Sequence, residues 1–109
     1  MRLLSAQITA GTVTILGGDY KIEVLANFYA EFIPAEPQEL EHPGFHEYIE
    51  ANEVLDGYIV TIFNTNNDDF EPITGGENIL YLANLNIMDV VNDYIDENYS
   101  IIRDQFFEI

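Results

Sequence analysis

Most of the side chains suited to chemistry in this sequence are carboxylates, and one short segment places them beside imidazoles. In EHPGFHE, His42 and His46 have the four-residue separation of helical zinc ligands, with Glu41 and Glu47 flanking them. Pro43 lies between the two histidines and interrupts the helix that would bring them onto one face. We therefore expect a surface loop here and no metal site.

A second segment, residues 64–69 (NTNNDD), is rich in oxygen ligands and is similar in composition to a calcium-binding loop. That loop needs glycine at its sixth position and glutamate at its twelfth. The sequence has Asp69 and Gly75 at those positions. We therefore predict a plain polar loop over residues 64–78.

Signatures of catalysis are missing from the sequence. Ser5 and Ser100 are the serines of the chain, neither lies near a histidine in sequence, and there is no cysteine. No glycine-rich loop carries a phosphate-binding lysine. Pairs of carboxylates carry little information in a chain with 20 acids. We expect a protein that is not an enzyme and holds no cofactor.

The charge is strongly unbalanced: 20 acidic residues face the three basic residues Arg2, Lys21 and Arg103, for a net charge of −17. Such a field repels nucleic acids and anionic membranes and attracts basic protein surfaces. Solubility and adaptation to high salt are alternative reasons for the same excess.

The acids fall into two groups that we predict to contact a partner. One group lies on a predicted C-terminal helix and spans about 22 Å at 1.5 Å per residue, which parallels roughly six phosphates of one DNA strand. Its members are Asp89, Asp93, Asp96, Glu97 and Asp104. The other group follows a proline-rich loop over residues 33–46 and consists of Glu36, Glu39, Glu41, Glu47, Glu50 and Glu53.

The strand predicted to position these groups covers residues 20–32, YKIEVLANFYAEF, where apolar and polar residues alternate. Its even-numbered residues form the apolar face. At about 3.3 Å per residue it runs roughly 40 Å, so a bend near Ala26-Asn27 is expected. Two shorter strands, residues 3–9 and 12–16, are predicted before it, separated by a tight turn at Ala10-Gly11.

Further elements follow from turn and capping signals. Asp56-Gly57 predicts a hairpin that joins strands 48–54 and 58–63, and residues 79–83 predict another short strand. An apolar stripe at helical spacing predicts one helix over residues 87–107, with Asn86 as its N-cap and a possible break near residues 98–100. The predicted fold is a single α+β domain over residues 1–109. It has an antiparallel sheet of five to six strands with one long C-terminal amphipathic helix packed on it.

Composition favours a folded, cytoplasmic protein. Hydrophobic residues make up 48% of the chain, which is too many for a disordered acidic tail. No apolar run approaches the ~18 residues of a membrane span. The first residues, MRLLSAQITAG, do not match a signal peptide.

The middle of the chain resembles a group of small tailed-phage accessory proteins. The matching residues are Pro34 to Pro37, His42 to Gly44, Glu47 to Glu50, and the predicted helix from Met88 onward. The resemblance implies a DNA-mimicking inhibitor of the anti-restriction or anti-CRISPR type, acting in the cytoplasm of the infected host cell.

The combined hypothesis is an acidic phage-type protein that occupies the basic groove of a host nucleic-acid-binding protein. The expected partner is a nuclease, a restriction or CRISPR effector, or a polymerase, with no direct contact to nucleic acid or membrane. A homodimer is also considered. The alternative function is a virion assembly or oligomerisation module whose acidity serves solubility. Its apolar contacts would come from Phe45, Phe70, Phe106 and Phe107.

Overall fold

The computed structural model describes residues 1–15, 18–39, 41, 43–64, 73–75 and 77–107. The elements in chain order are β1 (Arg2–Ile15), β2 (Gly18–Ile33), β3 (Tyr48–Val54), β4 (Ile59–Asn64), β5 (Ile73–Gly75), α1 (Glu77–Leu82), α2 (Ile87–Glu97) and α3 (Tyr99–Phe107). The strands form one antiparallel sheet with the path β1-β2-β4-β5, and β3 pairs with the second half of β2. The predicted α+β class and antiparallel sheet are confirmed.

Strand β2 is the centre of the sheet, as its alternating sequence predicts. The side chains of Ile22, Val24, Phe28 and Ala30 are fully buried on one face. The helices pack against this face, which holds the hydrophobic core. Burying a residue the size of phenylalanine is worth about 1.5–3 kcal/mol, so this one strand provides much of the stabilisation.

Strand β1 corrects the prediction of two strands joined by a turn at Ala10-Gly11. Its residues pair with β2 along the whole length, and the register shifts once, between Thr9 and Gly11. The shift is a β-bulge with Ala10 as the extra residue. Its physical reason is the apolar pattern, because Ile8 and Val13 have opposite parity and yet are both buried. The extra residue brings both side chains onto the core face.

The predicted hairpin at Asp56-Gly57 is also wrong, although both flanking segments are strands. Strand β3 pairs with residues 28–33 of β2, and β4 pairs with residues 20–25. Both run in the same direction along the same side of β2, so they form one interrupted strand. Residues 55–58 bulge out between them, and Gly57 supplies a φ of 86° for this excursion.

Residues 79–83 lie in a helix and its C-terminal turn, where a strand is predicted. A short apolar run does not distinguish the two states by periodicity. The helix ends with Asn84 in the left-handed region at φ 57°. The N–H of Leu85 donates to Leu80 O at 2.8 Å and that of Asn84 to Tyr81 O at 3.0 Å. This pair of bonds is a Schellman motif, which terminates α1 and turns the chain toward α2.

The predicted long C-terminal helix is divided into α2 and α3 at Asn98. The N-cap prediction is correct, because Asn86 Oδ1 accepts a 2.8 Å hydrogen bond from the Met88 N–H. At the other end, the side chain and backbone N–H of Asn98 both donate to Tyr94 O, at 2.9 and 3.1 Å. These bonds satisfy the end of α2 and let the chain start a new helix at Tyr99.

Helices α1, α2 and α3 cover one face of the sheet through Leu80, Val91, Ile95 and Ile102, which are all buried. Within the predicted polar loop 64–78, residues 73–75 form β5, which pairs with β4 on the side away from β2. Residues 65–72 lie outside the described part of the chain.

Candidate protein-binding surface

The outward side of α2 carries four of the predicted contact residues, and all four are exposed: Asp89, Asp93, Asp96 and Glu97. Positions 89, 93 and 97 follow one another at helical i, i+4 steps, so their carboxylates form a row. The row lies on an exposed flank of α2, apart from the buried side, where Val91 and Ile95 have no solvent exposure. The apolar stripe that packs α2 on the sheet therefore also fixes the direction of its acids.

A shallow cleft of about 110 Å³ separates this row from strand β1. Ile8, Thr9 and Ala10 of the bulge form one wall of the cleft. The other wall comes from α2 and the segment before it, and it includes Leu85, Asp89, Val90, Asp93, Tyr94 and Glu97. Residues of the bulge thus lie beside three carboxylates.

None of these helical acids makes an ion pair or side-chain hydrogen bond among the described residues. No basic residue lies in the last turn of α2 or of α3. Their negative field is therefore not compensated locally, and it extends over about one Debye length, ~8 Å at physiological ionic strength.

Asp104, the fifth residue of the predicted row, is exposed on α3. The helix break at Asn98 separates Asp104 from the four acids of α2. The structure therefore replaces the predicted 22 Å row by four acids on one helix and a fifth on the next.

The second predicted group is not brought together. Glu36, Glu39 and Glu41 are exposed in the loop between β2 and β3. That loop is ordered by a β-bridge in which Glu36 and Phe45 exchange hydrogen bonds of 2.9 and 3.0 Å. Gly44 is required there, since a Cβ would come within 2.8 Å of the Gln38 backbone.

Glu50 and Glu53 lie on the sheet face that the helices leave open. Glu50 pairs in register with Glu31, and Glu53 pairs with Tyr29, both odd positions of β2 whose side chains point away from the core. These two acids and the α2 row are therefore on opposite sides of the sheet.

Glu47, the remaining member of the second group, has a structural role. Its Oε2 accepts a 2.7 Å bond from Arg103 Nε and a 2.9 Å bond from the Tyr99 hydroxyl. The Arg103 hydrogen bond, with the Tyr99 bond second, lowers the pKa of Glu47 below its ordinary value. Partial burial and the same carboxylate raise the pKa of Tyr99, and Glu47 raises the pKa of Arg103.

The Arg103 guanidinium also contacts aromatic rings, with its Cζ 4.8 Å from the Phe107 centroid and 5.8 Å from that of Phe32. The Phe32 and Phe107 rings meet edge to face at 5.1 Å. Phe106 and Phe107, predicted for the alternative surface, thus contact Phe32 at the end of β2, while Phe45 packs on Tyr48. Phe70 lies outside the described residues.

All three basic residues are engaged within the protein. Lys21 pairs with Glu23 at 3.0 Å, Arg103 pairs with Glu47, and an Arg2 Nη1–H donates to the Gln105 carbonyl. None of these contacts involves an acid of α2.

The open face of the sheet is partly apolar. Leu3, Leu25 and Ile59 are 53%, 47% and 45% exposed, and Leu25 and Ile59 are direct register partners. Polar contacts surround them, including a 2.9 Å bond from the Thr9 hydroxyl to Glu23.

The sequence analysis did not predict that β1 lies beside the acids of α2. One signal was available: residues 1–18 contain no acid, although acids are frequent in the rest of the chain. It also missed the contact of Glu47 with Arg103, for which a separation of 56 residues gives no local signal.

Within the described ranges, no group of three or more His, Asp or Glu side chains is arranged to hold a metal ion. His46 is exposed, and His42 lies outside those ranges. The helices of the described chain are not long and apolar enough to cross a bilayer. Comparison with known proteins finds no matching family model, curated protein or solved structure.

Proposed function

We propose that this chain is a non-enzymatic, phage-type acidic inhibitor that occupies the basic groove of a host protein that handles nucleic acid. The observation that carries the proposal is the exposed α2 row, whose carboxylates have no counter-ion among the described residues. Its place of action would be the cytoplasm of the infected cell.

The charge spacing on α2 supports mimicry of a phosphate backbone. Four acids from Asp89 to Glu97 span about 12 Å of helix axis, or roughly one charge per 4 Å. One DNA strand carries a charge every ~3.4 Å. A groove that accommodates a phosphate strand therefore meets a comparable linear charge density on this helix.

The proposed contact set is narrower than the two predicted groups. It contains the four α2 acids, with Asp104 and the loop acids Glu36, Glu39 and Glu41 as outer contacts. Glu47 is left out because it is bonded to Arg103, and Glu50 and Glu53 because they face the other side of the sheet.

The test is capture of partners from host lysate on tagged protein, washed through a salt gradient and identified by mass spectrometry. We expect a nucleic-acid-binding protein that is released at moderate salt and competed off by duplex DNA. The variant Asp89→Lys/Asp93→Lys/Glu97→Lys should weaken its binding roughly a hundredfold, since three contacts of about 1 kcal/mol each sum to two decades.

The matched control reverses three acids in β3 and the loop that follows it, Glu50→Lys/Glu53→Lys/Asp56→Lys. Its change in net charge is the same. It should weaken binding less than about threefold at physiological salt, because only the general field changes. Equal losses in the two triple variants would contradict the assignment to α2, and a partner that ignores duplex DNA would contradict mimicry.

The open sheet face supports a second candidate, an assembly or oligomerisation module. Leu3, Leu25 and Ile59 expose about half of their surfaces there. A partner held by these side chains stays bound at high salt and is lost on Leu25→Asp/Ile59→Asp, whereas the α2 triple reversal leaves it unchanged.

A further inference from the structure

Strand β1 has an outer edge that no strand covers in the described part of the chain. Thirteen of its 14 residues pair with β2 on one side, and the bulge residue Ala10 is the exception. Edge strands present a row of unpaired N–H and C=O groups to which another extended chain can bind.

The hydrogen-bond pattern identifies which groups point outward. The Asn27 carbonyl accepts from the Leu55 N–H at 2.9 Å, so Asn27 turns its backbone groups away from β1. Because this direction alternates along a strand, even-numbered residues of β2 turn theirs toward β1. Their register partners Leu4, Ala6 and Ile8 complete that ladder. The residues whose backbone groups point to the outer edge are then Leu3, Ser5 and Gln7.

Before the bulge at Ala10, this edge has little of the protection with which proteins block edge-to-edge pairing. Proline and charged side chains are the usual protection. The sequence of β1, RLLSAQITAGTVTI, has no proline, no acid and no lysine, and its one charge is Arg2 at the end. The bulge at Ala10 limits the regular edge to residues 2–9, which is long enough for an added strand of about six residues.

The acids of α2 decide what kind of segment fits. The cleft beside the bulge places Asp89, Asp93 and Glu97 next to Ile8, Thr9 and Ala10. Acids at i, i+4 steps recur every ~6 Å along a helix, and alternate side chains of a strand recur every ~6.6 Å. A strand with a basic residue at every second position therefore repeats its charges at nearly the same interval as the α2 acids, which lie nearest the end of the regular edge, at Ile8 and Thr9.

We infer that the outer edge of β1 binds an extended, basic segment of the partner protein by strand addition, with its lysines or arginines directed toward the α2 row. The inference deepens the proposed function and rests on it for the basic character of the partner. Main-chain bonds to Leu3, Ser5 and Gln7 hold the segment, and the α2 acids select its charge.

A second copy of the chain fits this edge poorly. Pairing β1 with β1 of another copy adds a charge of −17 to a charge of −17 and carries the α2 row of each copy toward the junction. Like charges in such proximity oppose association.

The test measures binding of a fluorescein-labelled heptapeptide of alternating lysine and threonine by fluorescence anisotropy, with amide shifts followed by NMR. We expect saturable binding that shifts the amides of Leu3 to Thr9. Gln7→Pro removes an outward N–H and should weaken binding about tenfold or more, whereas Gln7→Ala should change it less than about twofold. Circular dichroism and the thermal midpoint verify the fold, and Ser5→Pro with Ser5→Ala replaces the pair if Gln7→Pro does not fold.

Two control peptides separate backbone from charge. Alternating lysine and proline keeps the charge and removes main-chain donors, and alternating glutamate and threonine reverses the charge; both should bind at least about tenfold more weakly. Equal binding to the wild type and Gln7→Pro, or no binding to the wild type, overturns strand addition while the α2 surface stays testable by lysate capture. A wild-type dimer in sedimentation that Gln7→Pro converts to monomer also overturns it, because the occupant is then a second copy.

Discussion

The two flanks of β2 are built from segments of similar length and differ in how their edges are covered. On one side, β1 is continuous apart from one bulge and contains no acid. On the other side, β3 and β4 are interrupted at residues 55–58, β5 covers the edge of β4, and Asn92 Oδ1 accepts the Ala51 N–H at 2.9 Å. Among the described residues, one flank is therefore partly covered by β5 and Asn92, and the outer edge of β1 has no strand beside it.

The difference indicates where a partner can bind. On the β3 flank, β5 pairs with residues 60–62 of β4, Asn92 accepts the Ala51 N–H, and the acids Glu50 and Glu53 lie beside that N–H. The β1 flank combines open backbone groups with a row of acids on the adjacent helix, so both features of a docking site for a basic segment occur on the same side.

The largest loss of stability is expected from a substitution in β2, the strand with which both flanks pair. Phe28 is fully buried in the middle of β2, and Phe28→Ala should lower the free energy of unfolding by about 3–5 kcal/mol because a cavity remains. Leu25→Ala, on the open face of the same strand, should cost less than about 1 kcal/mol. Chemical denaturation compares the two, and similar losses would mean that the sheet is covered on both faces.

The irregularity of each flank depends on one glycine. Gly11 in β1 has φ +140° and Gly57 in the other flank has φ +86°, and a Cβ added at either position would have no other atom within 4 Å. Alanine at either site should destabilise by about 1–3 kcal/mol through backbone strain alone. Equilibrium unfolding of both variants tests this, and a gain in stability at either site would show that its backbone is not held at positive φ.

Removing the protection of the β3 edge should have a smaller effect. Asn92→Ala leaves the Ala51 N–H without its acceptor and should cost about 1–2 kcal/mol. Hydrogen exchange at Ala51 should accelerate, while Asn92→Asp keeps an acceptor and preserves protection. Unchanged exchange in Asn92→Ala would contradict the role of this side chain as an edge cover.

Salt should raise stability modestly, because the net charge of −17 is repulsive in the compact state. Raising NaCl from about 0.05 to 0.5 M should increase Tm by a few degrees through screening. The α2 triple reversal makes the net charge less negative and should therefore reduce this rise in Tm. A Tm that falls with NaCl would show that attractive ion pairs outweigh the repulsion.

The smallest effect concerns Glu47, which joins the start of the closed flank to α3. Its folded pKa is below the unfolded value, so its contribution is complete above the unfolded pKa, about 4.3, and is lost as pH falls through the folded pKa. The stability difference between wild type and Glu47→Gln should be constant from about pH 7 to about 5 and shrink below about pH 4. A difference that grows on acidification would contradict the assigned direction.

Sequence reasoning captured what depends on local period. The alternation in β2, the apolar stripe of α2 and the Asn86 cap are each decided by neighbours within a turn or a strand pair. It failed where two local interpretations were possible and distant packing chose one. Ala10-Gly11 forms a bulge because Val13 and Ile8 are both buried in the core. Asp56-Gly57 lies in a loop outside the sheet because β4 pairs with β2 and not with β3. The separation of Glu50 and Glu53 from the α2 row followed from those pairings.

The order of β1 and α2 in the chain has a consequence for synthesis. The β1–β2 hairpin closes from Ile15–Gly18 and extends to Arg2–Ala30, so its pairing is local and expected to form early. On the ribosome, this hairpin precedes α2 by roughly fifty residues, and its edge, which contains no acid, emerges before the acids of α2 that lie beside it in the finished protein. During that interval the nascent chain is at its most prone to pairing with other strands, and chaperones that bind extended segments are expected to bind it there.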